Sequence, residues 1–369
     1  MKIGLRVSGL FGLLALCACL SVRAEDKLIL IKNNQVISGR IVKEDIENIQ
    51  IELKGQGSVS YKPSEVLDIE WGITDPIDFR DGYNSFKKGA YGRAADTFGG
   101  LLKDEESMKT FPPQAKAYLN YIYAESLYRA EKPQDAMAAF EKFMNEFKTS
   151  SFTTAAVGSM VDCAIMTGDF GKVPALLGQL RQQGGEQGAQ ADYLEGKMLL
   201  AQKKPKDADQ RFSKAAAAAT TASTRGLALM GQARVAVANA DLTKARDLAQ
   251  KALTANPPRV VAAEAHLVIG DAIVAEVDAK KPTGDELVNA YLDALLAYLR
   301  VPLLYDGDRA TEPRAMYQAG DVLKRMSKLP NRGADRIRAI TVFTKLTQDG
   351  RYRGTEYAAK AAEALKTFR

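Results

Sequence analysis

Cysteine and histidine are nearly missing from this chain. Of three cysteines in 369 residues, Cys17 and Cys19 fall in an N-terminal segment that reads as a removable leader, which leaves Cys163 with no internal disulfide partner. His266 is the one histidine, so a multi-histidine metal site has nothing to be built from, and a histidine triad could use only this residue. A Walker phosphate loop, a Rossmann glycine fingerprint and a paired-cysteine zinc motif are all missing. A large excess of one charge is missing too. The formal charge is +6, and without Lys2, Arg6 and Arg23 of the leader it falls to about +3, too weak for the electrostatic footprint of a nucleic-acid protein. Beyond the leader no stretch reaches the ~18 consecutive apolar residues of a membrane span. What is present, 46% hydrophobic and 26% charged residues, is ordinary for a water-exposed globular protein of a length that suits two or three domains.

The leader, residues 1–24, has Lys2 and Arg6, an apolar run from Val7 to Leu20, then Ser21-Val22-Arg23-Ala24. Small residues at the last and third-last places match cleavage after Ala24, which predicts a signal peptide, a mature chain starting at Glu25, and an exported, periplasmic location. A second reading stays open. Leu16-Cys17-Ala18-Cys19 resembles a lipobox, with lipid on Cys19 and the protein on the outer membrane.

From Lys27 to Trp71 the hydrophobic period is two. Runs at Leu28–Ile31, Val36–Val42, Ile49–Leu53, Ser58–Lys62 and Val66–Trp71 predict five short strands, with a turn at 32–35 where Asn tolerates positive φ. Gly39 suits a sharp bend. Five strands in so few residues bury an apolar face most simply by curling into a small barrel over residues 25–72, with Trp71 in its core. The strand order resembles Sm-like and SH3-like barrels. Sm relatives often bind RNA, but this segment lacks basic and aromatic clustering, and export argues against that use.

After Gly72-Ile73-Thr74-Asp75-Pro76 the period becomes helical and stays so to the C-terminus. The clearest unit is A-E-S-L-Y-R-A-E-K-P-Q-D-A-M-A-A-F-E-K-F-M-N-E-F, residues 124–147. Ala124, Leu127 and Tyr128 mark one helix, Pro133 starts a second, and Ala136, Phe140 and Phe143 give that second helix its inward stripe. Neither helix can bury its stripe alone, so the unit needs neighbours of its own kind. This pattern resembles the tetratricopeptide repeat family. Gly82, Tyr91, Ala94 and Phe98 match it, as do Gly168, Val173 and Leu177, then Gly196, Ala208 and Phe212, then Ala233, Ala245 and Ala252. Equivalent positions at Ala94, Ala136, Val173, Ala208 and Ala245 lie 42, 37, 35 and 37 residues apart. The family period is ~34, so most of the excess goes to loops, of which 103–113 is the clearest. His266, Gly270 and Ile273 pair with Leu287–Leu304. Met316, Gly320 and Leu323 pair with Ala339, Phe343 and Leu346, and Tyr357–Phe368 covers the end. The expectation is a mainly α protein: an α-solenoid of about seven such hairpins over 77–369, preceded by a small all-β barrel.

Chemistry is hard to assemble from these residues. His266 occupies a packing position, Cys163 sits on an apolar helical face, and Asp306-Gly307-Asp308 lacks the spacing of a calcium loop. No catalytic, cofactor or metal site is expected. The resemblance implies a binding groove lined by the first helix of each hairpin. On that count Tyr121, Glu125, Arg129, Tyr193, Lys197 and Arg234 should face it, with Arg129, Lys197 and Arg234 as a basic wall. Such residues suit an extended peptide or its carboxylate. The resulting expectation is an exported, non-enzymatic scaffold that binds another protein, with cell-envelope assembly as its setting, no nucleic acid, and membrane association only through a lipidated Cys19. A cell-wall carbohydrate binder or unrecognised hydrolase, and an RNA-binding barrel, are the competing readings.

Overall fold

Alternating apolar residues form the first element of the computed structural model, which describes residues 24–31, 34–73, 76–255, 257–305, 311–352 and 354–368. The expected leader with Cys17 and Cys19, and the Asp306-Gly307-Asp308 turn, lie outside these residues. Two units separate by their internal contacts, one up to residue 119 and one from 120 onward.

In the first unit, strands β1 (Asp26–Leu30), β2 (Val36–Glu44), β3 (Ile49–Leu53), β4 (Gly57–Tyr61) and β5 (Val66–Glu70) form an antiparallel sheet in the order β4-β3-β2-β1-β5. Leu28 pairs with Ile37 on one side and Ile69 on the other, and Leu28, Ile41, Ile49, Ile51 and Ile69 are buried. No ladder joins β4 to β5 among the described residues, so the closure expected of a barrel is absent from the pairing. The physical reason lies in β4. Its residues Gly57–Ser60 are exposed on both faces and carry little apolar surface that closure would bury. Asp26 anchors the sheet in a way the sequence does not advertise. It is 1% exposed, and its carboxylate accepts the N–H of Ile41 at 2.9 Å and of Gly72 at 2.8 Å.

Helices α1 (Ile77–Lys87), α2 (Tyr91–Leu101) and α3 (Glu105–Thr110) belong to the same unit, with the start of α4 (Pro113–Arg129). Phe79 is at their centre, with ring centroids 5.4 Å from Phe111, 6.1 Å from Phe98 and 6.4 Å from Tyr118. Trp71 is buried and lies 6.0 Å from Tyr118. Lys87 reaches back to Asp68 of β5 at 2.7 Å. The change of period at Gly72–Pro76 thus falls inside this unit. The 103–113 stretch, expected as a loop, holds α3, capped by Asp104, whose carboxylate accepts the N–H groups of Glu106 and Ser107.

The second unit continues with α5 (Pro133–Glu146), α6 (Thr153–Thr167), α7 (Val173–Gln182), α8 (Gly185–Ala201), α9 (Pro205–Ala218), α10 (Ala222–Ala238), α11 (Leu242–Thr254), α12 (Arg259–Lys280), α13 (Gly284–Leu304), α14 (Glu312–Met326), α15 (Ala334–Gln348) and α16 (Glu356–Lys366). These are the expected helix pairs of a tetratricopeptide-like α-solenoid, α4/α5 through α14/α15, with α16 packed on α14 and α15. The pairs interlock by one device. A residue without bulk on the first helix receives a ring from the second. Ala124 and Phe140 are both fully buried. A Cβ on Gly196 would come within 2.7 Å of the Phe212 ring, one on Gly231 within 2.5 Å of that same ring, and one on Gly320 within 2.5 Å of Phe343. Hydrogen in place of Cβ lets the ring rest on helix backbone, and a fully buried ring contributes roughly 1.5–3 kcal/mol.

Candidate functional site

First helices carry apolar residues around most of their circumference, because each is flanked by its own partner and by the next pair. Alternate helices α6 and α8, α8 and α10, and α10 and α12 touch directly. Few positions on them reach solvent; Met166, Val237 and Val260 do so near helix ends, and many of the others are polar. Their side chains form a line of ion pairs running from one first helix to the next. Glu125 of α4 is buried and accepts from Arg129 Nε at 2.7 Å and from Ser159 Oγ of α6 at 2.8 Å. Tyr128 Oη donates to Asp162 of α6 at 3.4 Å, and Asp162 pairs with Lys197 of α8. Arg234 of α10 pairs with Glu264 of α12. Asp271 of α12 accepts from Arg314 Nη2 of α14 at 2.5 Å, from Gln318 Nε2 at 3.4 Å and from Tyr298 Oη of α13 at 2.8 Å.

The six residues expected at a binding groove separate into two kinds. Tyr121 and Tyr193 are mainly packing residues. Tyr121 stacks on Phe152 at 5.1 Å and touches Phe140 and Phe143; burial, helped by the Glu125 charge, pushes its hydroxyl above the ordinary tyrosine range. Tyr193 is buried with its ring 5.9 Å from Phe212. Glu125, Arg129, Lys197 and Arg234 belong to the polar line. Burial opposes the Arg234 charge, but the Glu264 carboxylate and the Tyr193 hydroxyl more than offset it and hold the guanidinium protonated. Tyr193 and Arg234 are therefore brought together, as are Glu125 and Arg129. The three cations do not stand as an uncompensated basic wall, since each has a carboxylate beside it.

The residues missed by sequence reasoning are other carboxylates of the polar line: Asp162, Glu264 and Asp271. A signal for one existed. Asp162 precedes Lys197 by 35 residues, close to one repeat, so opposite charges recur at equivalent places on consecutive first helices. Asp271 lies 43 residues before Arg314, and the longer α12/α13 pair hides that relation.

His266 is buried, 5.8 Å from the Tyr305 ring, and burial with the nearby Arg300 charge lowers its pKa to about 4. At neutral pH it is an uncharged packing group whose Nδ1 has no hydrogen-bond partner among the described residues. Burial, then the charges of Asp162 and Glu125, push the Cys163 thiol up to about 12, which leaves it protonated and unreactive. Among the described residues no cluster of His, Cys, Asp and Glu has the geometry of a metal site. A cleft of about 330 Å³ lies between α5, α6 and α7, lined by Met144, Lys148, Thr153, Val157 and Gln179 among others. It is separate from the polar line.

No family model and no curated protein matches the chain. Solved structures similar to it include a tetratricopeptide repeat protein from Parabacteroides merdae, at 13% identity and TM-score 0.46, covering 79% of this chain and 97% of that one. PilW, a type IV pilus biogenesis factor, shares 12% identity at TM-score 0.44, covering 67% of this chain and 98% of that one. A monomeric IFIT1 mutant with Gppp-AAAA shares 12% identity at TM-score 0.48, covering 78% of this chain and 67% of that one.

Proposed function

We propose that the protein is an exported, non-enzymatic scaffold that binds another protein along its first helices, in the setting of the cell envelope. The N-terminal sheet is read as a small module of the Sm-like or SH3-like kind, used for structure or docking. The leader to Ala24 is taken as a removable signal peptide, so N-terminal sequencing of exported protein should begin at Glu25. A Cys19 start would instead make the protein a lipoprotein.

One observation carries the binding reading. Charged groups on successive first helices are held in place by carboxylate partners yet keep part of their surface in water: 48% of the Arg129 side chain, 30% of Lys197 and 35% of Arg234. Groups already fixed by a neighbour lose little side-chain entropy when a ligand arrives. A line of alternating charge also selects a partner segment of matching alternation and disfavours others.

The test is a titration. A partner recovered from envelope extract is measured against wild type and against the triple variant Arg129→Gln, Lys197→Gln, Arg234→Gln, with helical circular dichroism as the folding control. Desolvated contacts should weaken binding by several kcal/mol, whereas rim contacts should give about 1 kcal/mol or less. Equal affinities with a folded variant would remove this face as the binding site.

A further inference from the structure

Second helices occupy equivalent outer places in successive pairs, and their outward residues are polar in most of them. Lys206, Asp207, Gln210 and Lys214 of α9 are exposed, as are Arg246, Asp247, Gln250 and Lys251 of α11. Helix α13 departs from this pattern. Its inward residues Tyr291, Ala294, Tyr298 and Val301 are buried in the pair's core. Its outer side still carries leucines, with Leu296 56% exposed and Leu303 75% exposed. Leu292 and Leu299 are half-covered beside them. At 3.6 residues per turn these four fall within an arc of roughly 60°. They form a continuous apolar stripe about three turns long. Asn289, Asp293 and Arg300 run along one border of that stripe and are exposed.

The geometry points to a second copy of this chain as the occupant: we propose that α13 packs against α13 of another copy, antiparallel, about a twofold axis between Leu296 and Leu299. The order of residues on the stripe selects this arrangement. Reversing the helix brings Leu292 opposite Leu303 of the second copy, and Leu296 opposite Leu299, so every leucine of the stripe meets a leucine. Antiparallel pairing also sets each helix's bordering edge against the same edge of its mate. Asp293 then lies near Arg300 of the second copy, and Arg300 near Asp293, giving two symmetric pairs of opposite charge. A parallel pairing loses this match, because the charged edge would face the other edge of the stripe, where Leu295 and Pro302 are already partly covered within the protein. Isologous contacts of this kind close on themselves and stop at a dimer.

Among the described residues α13 is also the one helix long and apolar enough to cross a membrane. Its inner side is already packed, and the border's one acid and one base leave no net positive charge to draw it to an anionic lipid surface. A membrane is therefore the competing occupant, and the experiment is arranged to reveal it.

The purified protein should sediment as a dimer. Leu296→Glu with Leu303→Glu should be monomeric with an unchanged helical signal, its dimer dissociation constant raised at least about 100-fold, and its melting temperature should no longer rise with protein concentration. Asp293→Arg alone sets like charges across the axis and should weaken the dimer by about tenfold. Adding Arg300→Asp restores the alternation and should return most of that loss, which a dimer through any other face would not show. A monomeric wild type overturns the proposal, as does a dimer that survives Leu296→Glu/Leu303→Glu. So does a monomer that floats with vesicles of anionic phospholipid and loses this binding in the double leucine variant.

Discussion

The pairs α8/α9 and α12/α13 solve the same packing problem with different side chains. In the first, Phe212 lies on Gly196 and Gly231 with its ring 5.9 Å from that of Tyr193, and a phenylalanine brings no polar atom that must be satisfied. In the second, Tyr298 lies on Gly270, where a Cβ would come within 2.5 Å of the ring, but its hydroxyl must be satisfied and takes Asp271 as acceptor. A half-buried carboxylate gains from further donors, and Arg314 and Gln318 of the next pair supply them. One added oxygen thus extends a local contact into a network joining two pairs. The same substitution recurs at Tyr352, whose hydroxyl donates to the buried Glu312. Both regions are tied to neighbouring pairs by polar contacts, but only in the second does the locking ring itself take part in them.

The largest expected effect tests the apolar socket. Phe212→Ala should cost roughly 3–5 kcal/mol, the range for truncating a buried phenylalanine. Because the ring touches two first helices, hydrogen exchange should rise in both α8 and α10. An unaltered melting temperature would show that the ring is not the closing element.

Acid should separate the two pairs next. His266 has a folded pKa of about 4 against about 6.5 in an unfolded chain. Between those values the unfolded chain binds a proton that the folded chain refuses. The stabilisation is therefore complete above about pH 6.5 and is lost as pH falls towards 4, by up to roughly 3 kcal/mol. Denaturant titrations across this window should give a shallower pH slope for His266→Leu than for wild type. Identical slopes would mean the imidazole is not held neutral.

Tyr298→Phe converts the polar socket into a copy of the apolar one and sharpens the comparison directly. It keeps the ring on Gly270 but removes one donor from Asp271, with an expected cost of about 1–3 kcal/mol. The loss should appear as faster exchange in α14, since the network and not the ring is damaged. Protection lost evenly across the unit would argue against a linking role for Asp271.

The smallest effect is expected on the exposed arm of the polar line. Arg129→Ala leaves Glu125 with its Ser159 partner, so stability should change by about 1 kcal/mol or less. A larger loss in chemical denaturation would place Arg129 among the supports of the fold.

Repeat position was legible wherever packing demanded one size of residue. Ala94, Ala136, Phe140, Ala208, Phe212, Ala245 and Phe343, singled out by spacing, are all fully buried. The residues expected at a groove take mixed roles. Tyr121 and Tyr193 lie on the expected helices but spend their rings on neighbouring aromatics. Lys197 and Arg234 of the expected wall came with carboxylates, Asp162 and Glu264, that the same spacing had not assigned to them.

By itself, the amino-acid pattern determined the switch from strands to helices, an array of about seven helix pairs and the identity of several of the rings that lock them, Phe140, Phe212 and Phe343 among them. These follow from local periodicity and from the size limit at each helix crossing, which any neighbour of the same kind would impose. Only the tertiary structure decided that the first strands leave β4 and β5 unpaired with each other, that Asp26 secures the sheet to Gly72, and that Asp162, Glu264 and Asp271 face the cations of adjoining pairs. Those relations join residues from separate elements, and the distance between two charges on different helices depends on how the helices are set together, which no single stretch of sequence records.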